Sequence, residues 1–269
     1  TPPSPSSRFG RKMATIGSFT LIRNEVMWIK AHLLSWLPHL DQMVFFDGES
    51  DDGTVEVIRQ ISSNHPYGGK IVLLERKNPK NMTDDYQRVF NECLHTLTTD
   101  YAAFLHPDML LDDPGGLRSL GDRIAYSTGM RSFAGDPDGE LLEIIEGRAE
   151  TWKNIYRLRN PDLGLHYFGD YGSANEDCYF SEVTGEEHNI SNLPYEVGES
   201  GIKILHFSDV RPLSRRIDRM VKCLVNQGHP AEMAASLALT HPRVNFKDAN
   251  GFRFVPAKYP DSLKETARV

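Results

Sequence analysis

Residues 43–58 read MVFFDGESDDGTVEVI. An apolar run stops at Asp47-Gly48, a polar loop follows, and Val55, Ile58 and Ile61 then recur at helical spacing. This pattern describes a short buried strand, a turn and an amphipathic helix. Asp and Gly suit the turn, and Asp51 and Asp52 suit the positive end of the helix that Gly53-Thr54 opens. Alone, such a segment is an ordinary strand-to-helix connection; its neighbours make it specific.

The same alternation extends on both sides. Residues 14–21, ATIGSFTL, predict a strand, and Val26, Ile29, Leu33 and Leu37 predict a helix over 25–37. Residues 70–75, KIVLLE, predict a third strand. A third helix follows a cap at Thr83, with Val89, Phe90, Cys93, Leu94 and Leu97 as its apolar stripe. Residues 101–105, YAAFL, form a fourth strand that ends at His106-Pro107-Asp108. Strands alternating with helices over 14–108 predict an α/β fold with a mostly parallel central sheet flanked by helices. In such sheets ligands bind beyond the carboxyl ends of the strands. That rule selects Arg23-Asn24-Glu25, Asp47, and His106-Pro107-Asp108.

The second half is less regular. Asp112 and Asp113 read as turn and cap residues before a short helix near 117–125, and Gly135-Asp136-Pro137-Asp138-Gly139 reads as a hairpin turn. Short strands and long loops are expected over 130–200, and a clear strand, GIKILHF, over 201–207. Pro212 opens a helix with Leu213, Ile217, Met220 and Leu224 on one face, and 231–239 is another. The tail from Asn250 shows no strong period. The expected organisation is a Pro/Ser-rich flexible leader over 1–12, a domain over 13–210 with halves at 13–112 and 113–210, and C-terminal helices with a tail over 211–269.

Composition limits the function classes. The 269 residues are 39% hydrophobic and 25% charged, which suits a soluble globular protein with a real core. The net charge of −7 argues against a broad basic face for nucleic acid. No apolar run approaches the ~20 residues of a membrane span, and no secretory signal follows the start. Cys93, Cys178 and Cys223 form neither a disulfide framework nor a CxxC zinc site. A cytoplasmic location is expected.

The three strand-end motifs together resemble the nucleotide-binding half of family-2 glycosyltransferases, which have the GT-A fold. That family shows a polar Asn-Glu pair after the first strand, here Asn24-Glu25. It shows Asp-x-x-Ser-x-Asp-Gly-Thr after the second, here Asp47, Ser50, Asp52, Gly53 and Thr54. It shows an Asn on the third helix, here Asn91, ahead of a metal-binding Asp-x-Asp. With Trp28-Ile29 and His32 added, the pattern looks most like the branch whose members resemble family-92 enzymes. The likeness is good over about residues 14–112 and loose beyond.

The resemblance implies a GT-A-like domain with a C-terminal helical extension, a nucleotide-sugar donor of UDP type, a divalent metal, and a hydroxyl acceptor on a glycan or another molecule. On the donor side it points to Thr20, Arg23, Asn24, Glu25, Asp47, Asp52, Asn91 and His106. Asp47 would accept from the base N–H, and Arg23 would meet the diphosphate unless it pairs with Glu25 or Asp47. His106 stands where the family has the first Asp of Asp-x-Asp, and Asp108 keeps the last, the usual metal ligand. His206, at the end of a late strand, is the second expected ligand. Imidazole favours Mn²⁺ over Mg²⁺. An inverting transfer needs a carboxylate base, and the family pattern selects Asp177 with Glu176 beside it, Asp170 being the nearest rival. Glu176-Asp177 also reads as a helix start capped by Asn175.

The basic run Arg211, Arg215, Arg216, Arg219 and Lys222 reads either as a solvated helix face or, being close to His206, as a contact for diphosphate or an anionic acceptor. Two rival functions stand beside glycosyl transfer. A nucleotidyltransferase shares the parallel sheet and acidic site, but usually opens with a Gly-rich phosphate loop near the first strand, and Thr20-Leu21-Ile22-Arg23-Asn24-Glu25 has no glycine. A non-catalytic nucleotide-sugar-binding module is prompted by His106.

Overall fold

The structure is a computed structural model that describes residues 13–76, 82–137, 139–146, 149–160, 163–167, 178–182, 187–189, 197–226, 228–241, 244 and 253–259. In chain order it runs β1 (Ile16–Ile22), α1 (Val26–Trp36), β2 (Gln42–Asp47), α2 (Thr54–Asn64), β3 (Ile71–Glu75), α3 (Met82–Thr96), β4 (Tyr101–Phe104) and β5 (Met109–Asp113). It continues with β6 (Ala125–Gly135), β7 (Leu141–Glu146), β8 (Thr151–Arg157), β9 (Arg159–Asn160), β10 (Leu163–Tyr167), β11 (Cys178–Glu182) and β12 (Glu187–Asn189). The chain then forms β13 (Gly198–Val210), α4 (Leu213–Asn226), α5 (Ala231–Thr240) and β14 (Arg253–Ala257).

The α/β class expected from the sequence holds. β3, β2, β1 and β4 lie side by side in parallel, with Phe19 opposite both Val44 and Phe104. Alternation along β2 explains why both faces are covered. Val44 and Phe46 pack with Phe19, Phe90, Leu94 and Phe104 under α3. Met43 and Phe45 point the other way, among Ile29, Leu33 and Trp36 of α1 and Ile58 of α2. Burying each such side chain contributes about 1.5–3 kcal/mol, so a one-residue slip of β2 would forfeit both faces at once.

Beyond β4 the sheet becomes mixed. β8 pairs antiparallel with β4, β6 with β8, and β7 with β6, while β13 lies parallel to β6 and antiparallel to β5. β9 to β12 make a separate antiparallel sheet.

Four expectations change. The helix foreseen near 117–125 is one short 3-10 turn, Leu117–Ser119, and Ala125 already opens β6. The turn before it lies directly on β13. A Cβ on Gly115 would sit 2.1 Å from the Gly201 carbonyl oxygen, and one on Gly116 2.4 Å from that of Ser200. Asp112 and Asp113 close a strand, β5, and only then does Asp113 accept from Gly115 N in the turn (2.9 Å). The tail contains a strand, β14, antiparallel to β7. α3 starts at Met82, so Thr83 lies in its first turn and is not its cap. The leader over 1–12 lies outside the described residues. No helix among the described residues is long and apolar enough to cross a membrane.

One contact fixes the approach to the site. His32 Nδ1 and Trp36 Nε1 on α1 both donate to the Met109 carbonyl at the start of β5, at 2.8 and 3.0 Å. His32 is fully buried, and burial pushes its pKa down from 6.5 to about 4, against the raising effect of the Met109 carbonyl. An unfolded chain takes up this proton below about pH 6.5, and the fold resists it until about pH 4. His32 therefore contributes stability above pH 6.5 that is lost as the pH falls through this window. About 3 kcal/mol should be lost between those limits. Urea unfolding of His32→Leu should show a shallower dependence on pH over that range than the parent. Equal slopes would show that His32 is not the titrating group.

Candidate functional site

The turns after β1, β2 and β4 meet at one edge of the parallel strands, and β13 brings a fourth segment to them. The first two turns are sewn together by hydrogen bonds. Asn24 N donates to Ser50 Oγ (2.9 Å), Glu25 N to Thr54 Oγ1 (2.8 Å) and Val26 N to Asp52 Oδ2 (3.1 Å), while Asn24 Oδ1 accepts from Asp51 N (2.9 Å). Asp47 is 4% exposed and accepts from Ser50 Oγ (2.5 Å) and Ser50 N (3.1 Å). Asp52 also accepts from Thr54 N (3.0 Å), which steadies the start of α2. Two residues pass through left-handed backbone here, Asn24 (φ 58°) and Glu49 (φ 62°).

Asp47 borders a cavity of about 360 Å³ with Glu49, Ser50, Val55, Arg59, Glu75 and Arg76. Arg59 donates through one nitrogen to both Glu75 oxygens at 2.7 Å. Carboxylates and guanidinium groups line this edge and offer both acceptors and donors to a polar ligand.

Asp108 is 1% exposed and sits in the turn between β4 and β5, its carbonyl accepting from Phe207 N of β13 (2.9 Å). One carboxylate oxygen, Oδ2, accepts from Arg211 (3.0 Å) and lies 3.9 Å from Arg219. The other, Oδ1, lies 3.6 Å from His206 Nε2 and accepts no hydrogen bond. Arg211 also donates to both oxygens of Glu25, at 3.0 and 3.2 Å. Burial alone would raise the Asp108 carboxyl, but His206, Arg211 and Arg219 outweigh it and hold it well below the usual carboxylate range. Glu25 moves the other way. Burial and the nearby Asp108 raise it against the pull of Arg211. Two carboxylates compete for one guanidinium, and the one with His206 beside it stays the more acidic.

The His106 ring centre lies 5.5 Å from that of Trp152 and 6.2 Å from that of His206. Among the described residues no three His, Cys, Asp or Glu side chains form a ready cation cage. Asp108 Oδ1 and His206 Nε2 are a pair of suitable donor types, an anionic oxygen and an imidazole nitrogen. A buried carboxylate oxygen with no hydrogen bond, facing such a nitrogen, fits a divalent cation whose other ligands come from a bound molecule and water.

The structure thus brings together Asn24, Glu25, Asp47, Asp52, His106, Asp108 and His206. It places others elsewhere. Thr20 is fully buried inside β1, opposite Phe45, away from the strand end. Arg23 is exposed, and the partner of Glu25 is Arg211. Asn91 borders a different cavity, of about 610 Å³, with Gln87 and Glu92 on α3. Asp170, Glu176 and Asp177 lie outside the described residues. Trp152 had no signal in the sequence. Arg211 had a faint one, as the first residue after the strand that carries His206.

No protein-family model and no curated protein sequence matches the chain. Among solved structures it is similar to Staphylococcus aureus TarS 1–349 in complex with UDP, at 12% identity and TM-score 0.34, over 46% of this chain and 37% of that one. It is similar to the mannosyltransferase PcManGT from Pyrobaculum calidifontis in complex with GDP-Man and Mn²⁺, at 13% identity and TM-score 0.45, over 84% and 74%. It is also similar to glucosyl-3-phosphoglycerate synthase from Mycobacterium tuberculosis, solved with Mn²⁺, UDP and glucosyl-3-phosphoglycerate, at 17% identity and TM-score 0.31, over 45% and 44%.

Asn24 carries two duties, a left-handed backbone and the acceptor for Asp51 N. Asn24→Ala removes the acceptor and puts a Cβ penalty on the turn, for a loss of about 1–3 kcal/mol. Asn24→Gly removes only the acceptor and should cost measurably less in chemical denaturation. If the two variants are equally unstable, the backbone conformation is not what Asn24 supplies.

Proposed function

We propose that this protein transfers a sugar from a nucleotide-sugar donor to an acceptor hydroxyl, with a divalent metal at Asp108 and His206. The observation that carries this reading is the Asp108 carboxylate, whose Oδ1 faces His206 across 3.6 Å at the same strand edge as the Asp47 cavity. The finer assignment to a family-2-like enzyme, and to the branch resembling family-92 enzymes, rests on the strand-end motifs.

In this reading Asp47 orients the base of a UDP-type donor by accepting its N–H. Asn24, Asp52 and Ser50 keep the loop around Asp47 in one shape. Asp108 Oδ1 and His206 Nε2 hold the cation, and the imidazole favours Mn²⁺ over Mg²⁺. When bound, the cation supplies positive charge that stabilises the leaving diphosphate. His106, at the rim, is placed to donate a hydrogen bond to the donor. Asp177, with Glu176 beside it, removes the acceptor proton in an inverting transfer.

Asp108→Asn keeps the size of the side chain and removes its charge. Donor turnover with Mn²⁺, measured as release of nucleoside diphosphate from a panel of nucleotide sugars, should fall by about 10²-fold or more, in line with loss of a principal charge-stabilising group. The Mn²⁺-dependent rise in melting temperature with UDP should vanish with it. Parent-level turnover in this variant would remove Asp108 from the site. Release of pyrophosphate from nucleoside triphosphates by the parent protein would point to nucleotidyl transfer.

A further inference from the structure

We infer that Glu25 is a charge-balancing positioning residue for the cation site: it occupies the Arg211 guanidinium so that the charge of Asp108 stays available to a metal. This rests on the metal site proposed above and adds a residue that does not touch the metal.

The geometry separates the two carboxylates by role. The Arg211 side chain is 12% exposed and fully engaged. Its Nη1 donates to Glu25 Oε2, its Nη2 to Glu25 Oε1 and Asp108 Oδ2, and its Nε to the Ser208 carbonyl. Glu25 therefore takes the guanidinium at two points and Asp108 at one. That leaves Asp108 Oδ1 on the His206 side with no hydrogen bond. Glu25 is held in turn by its own backbone, whose N–H donates to Thr54 Oγ1 (2.8 Å) at the start of α2.

Charge arithmetic gives the group its purpose. Glu25, Arg211 and Asp108 sum to one negative charge, and the nearby Arg219, 47% exposed, is screened by water. Were Glu25 neutral, Arg211 would cancel Asp108, and a dication would meet a site without net charge next to a fixed guanidinium. Were Arg211 neutral, the site would carry two negative charges. Outer groups of this kind typically alter metal affinity by about 10–100-fold. The family resemblance pointed to Glu25 on the donor side; its carboxylate here is held by Arg211.

The test is titration with Mn²⁺ alone at neutral pH, followed by the electron paramagnetic resonance signal of the free ion, on the full chain. Glu25→Gln keeps shape and removes the charge, and it should bind Mn²⁺ at least about tenfold more weakly than the parent. Adding Arg211→Gln to it restores the net charge and should bring the affinity back to within about threefold of the parent, although the double variant has lost more contacts. A merely structural Glu25 would make the double variant no better than the single one, and that result overturns the inference, as does an unchanged affinity in Glu25→Gln. Should Glu25→Gln fail to fold, Arg211→Gln alone carries the test with the opposite sign. It should bind Mn²⁺ at least as tightly as the parent, and weaker binding refutes the charge argument. A parent protein that binds no Mn²⁺, with or without UDP, overturns the metal site itself, which is a different failure from a parent that binds and a Glu25→Gln variant that binds equally.

Discussion

A guanidinium buried between two carboxylates is the constraint on which the site depends. Arg211 joins the turn after β1, through Glu25, to the turn after β4, through Asp108, and it does so from the end of β13. Taking these charges out of water is costly, and the cost is offset only while all three partners stay in register. Removing one partner of such a group typically costs about 3–5 kcal/mol, because the charges left behind stay buried. The cluster therefore does more than add stability. It fixes which carboxylate oxygen is left without a hydrogen bond, and so where a cation or a donor group can enter.

The sheet makes that cluster possible. Parallel strands end at a common edge, and the turns that follow them are tied together there, Asn24 to Ser50 and Asp51, Asp47 to Ser50, and Asp52 to Val26. α1 then serves both ends of the argument. Its buried face closes the core over Met43 and Phe45, and its His32 and Trp36 hold the Met109 carbonyl just past Asp108. Packing and site geometry are coupled through that one carbonyl.

Much of this was legible in the sequence, and for physical reasons. The parallel strands are short apolar runs whose ends are marked by Asp, Asn and His, and their helices show clear apolar stripes. Asp108 and His206 were readable as partners because each stands near the end of an apolar run, although β4 already stops at Phe104 and β13 runs on past His206 to Val210. The rest depends on non-local pairing. β5 hides in Met109–Asp113, where two acids and a following Pro-Gly-Gly look like a turn; it is a strand because β13 pairs with it. β14 contains Pro256 and only five residues, and its partner β7 lies more than a hundred residues earlier. The grip of Arg211 on Glu25 spans 186 positions, a distance over which sequence pattern carries no register. The basic run after β13 read either as a solvated face or as a contact for diphosphate or an anionic acceptor; in the structure Arg211 turns inward to Glu25 and Asp108, and Arg219 donates to the Ser208 carbonyl.

The central claim is that a cation at Asp108 and His206 sits against the diphosphate of a bound nucleotide. Electron–nuclear double resonance on the Mn²⁺ and UDP complex of the full chain tests it directly, because it reads both ligands at one metal. The account predicts phosphorus coupling from the diphosphate together with coupling to one imidazole nitrogen, the nitrogen signal being lost in His206→Ala while the apo protein stays folded. A nitrogen signal that survives His206→Ala, or a bound Mn²⁺ that couples only to water, would contradict it.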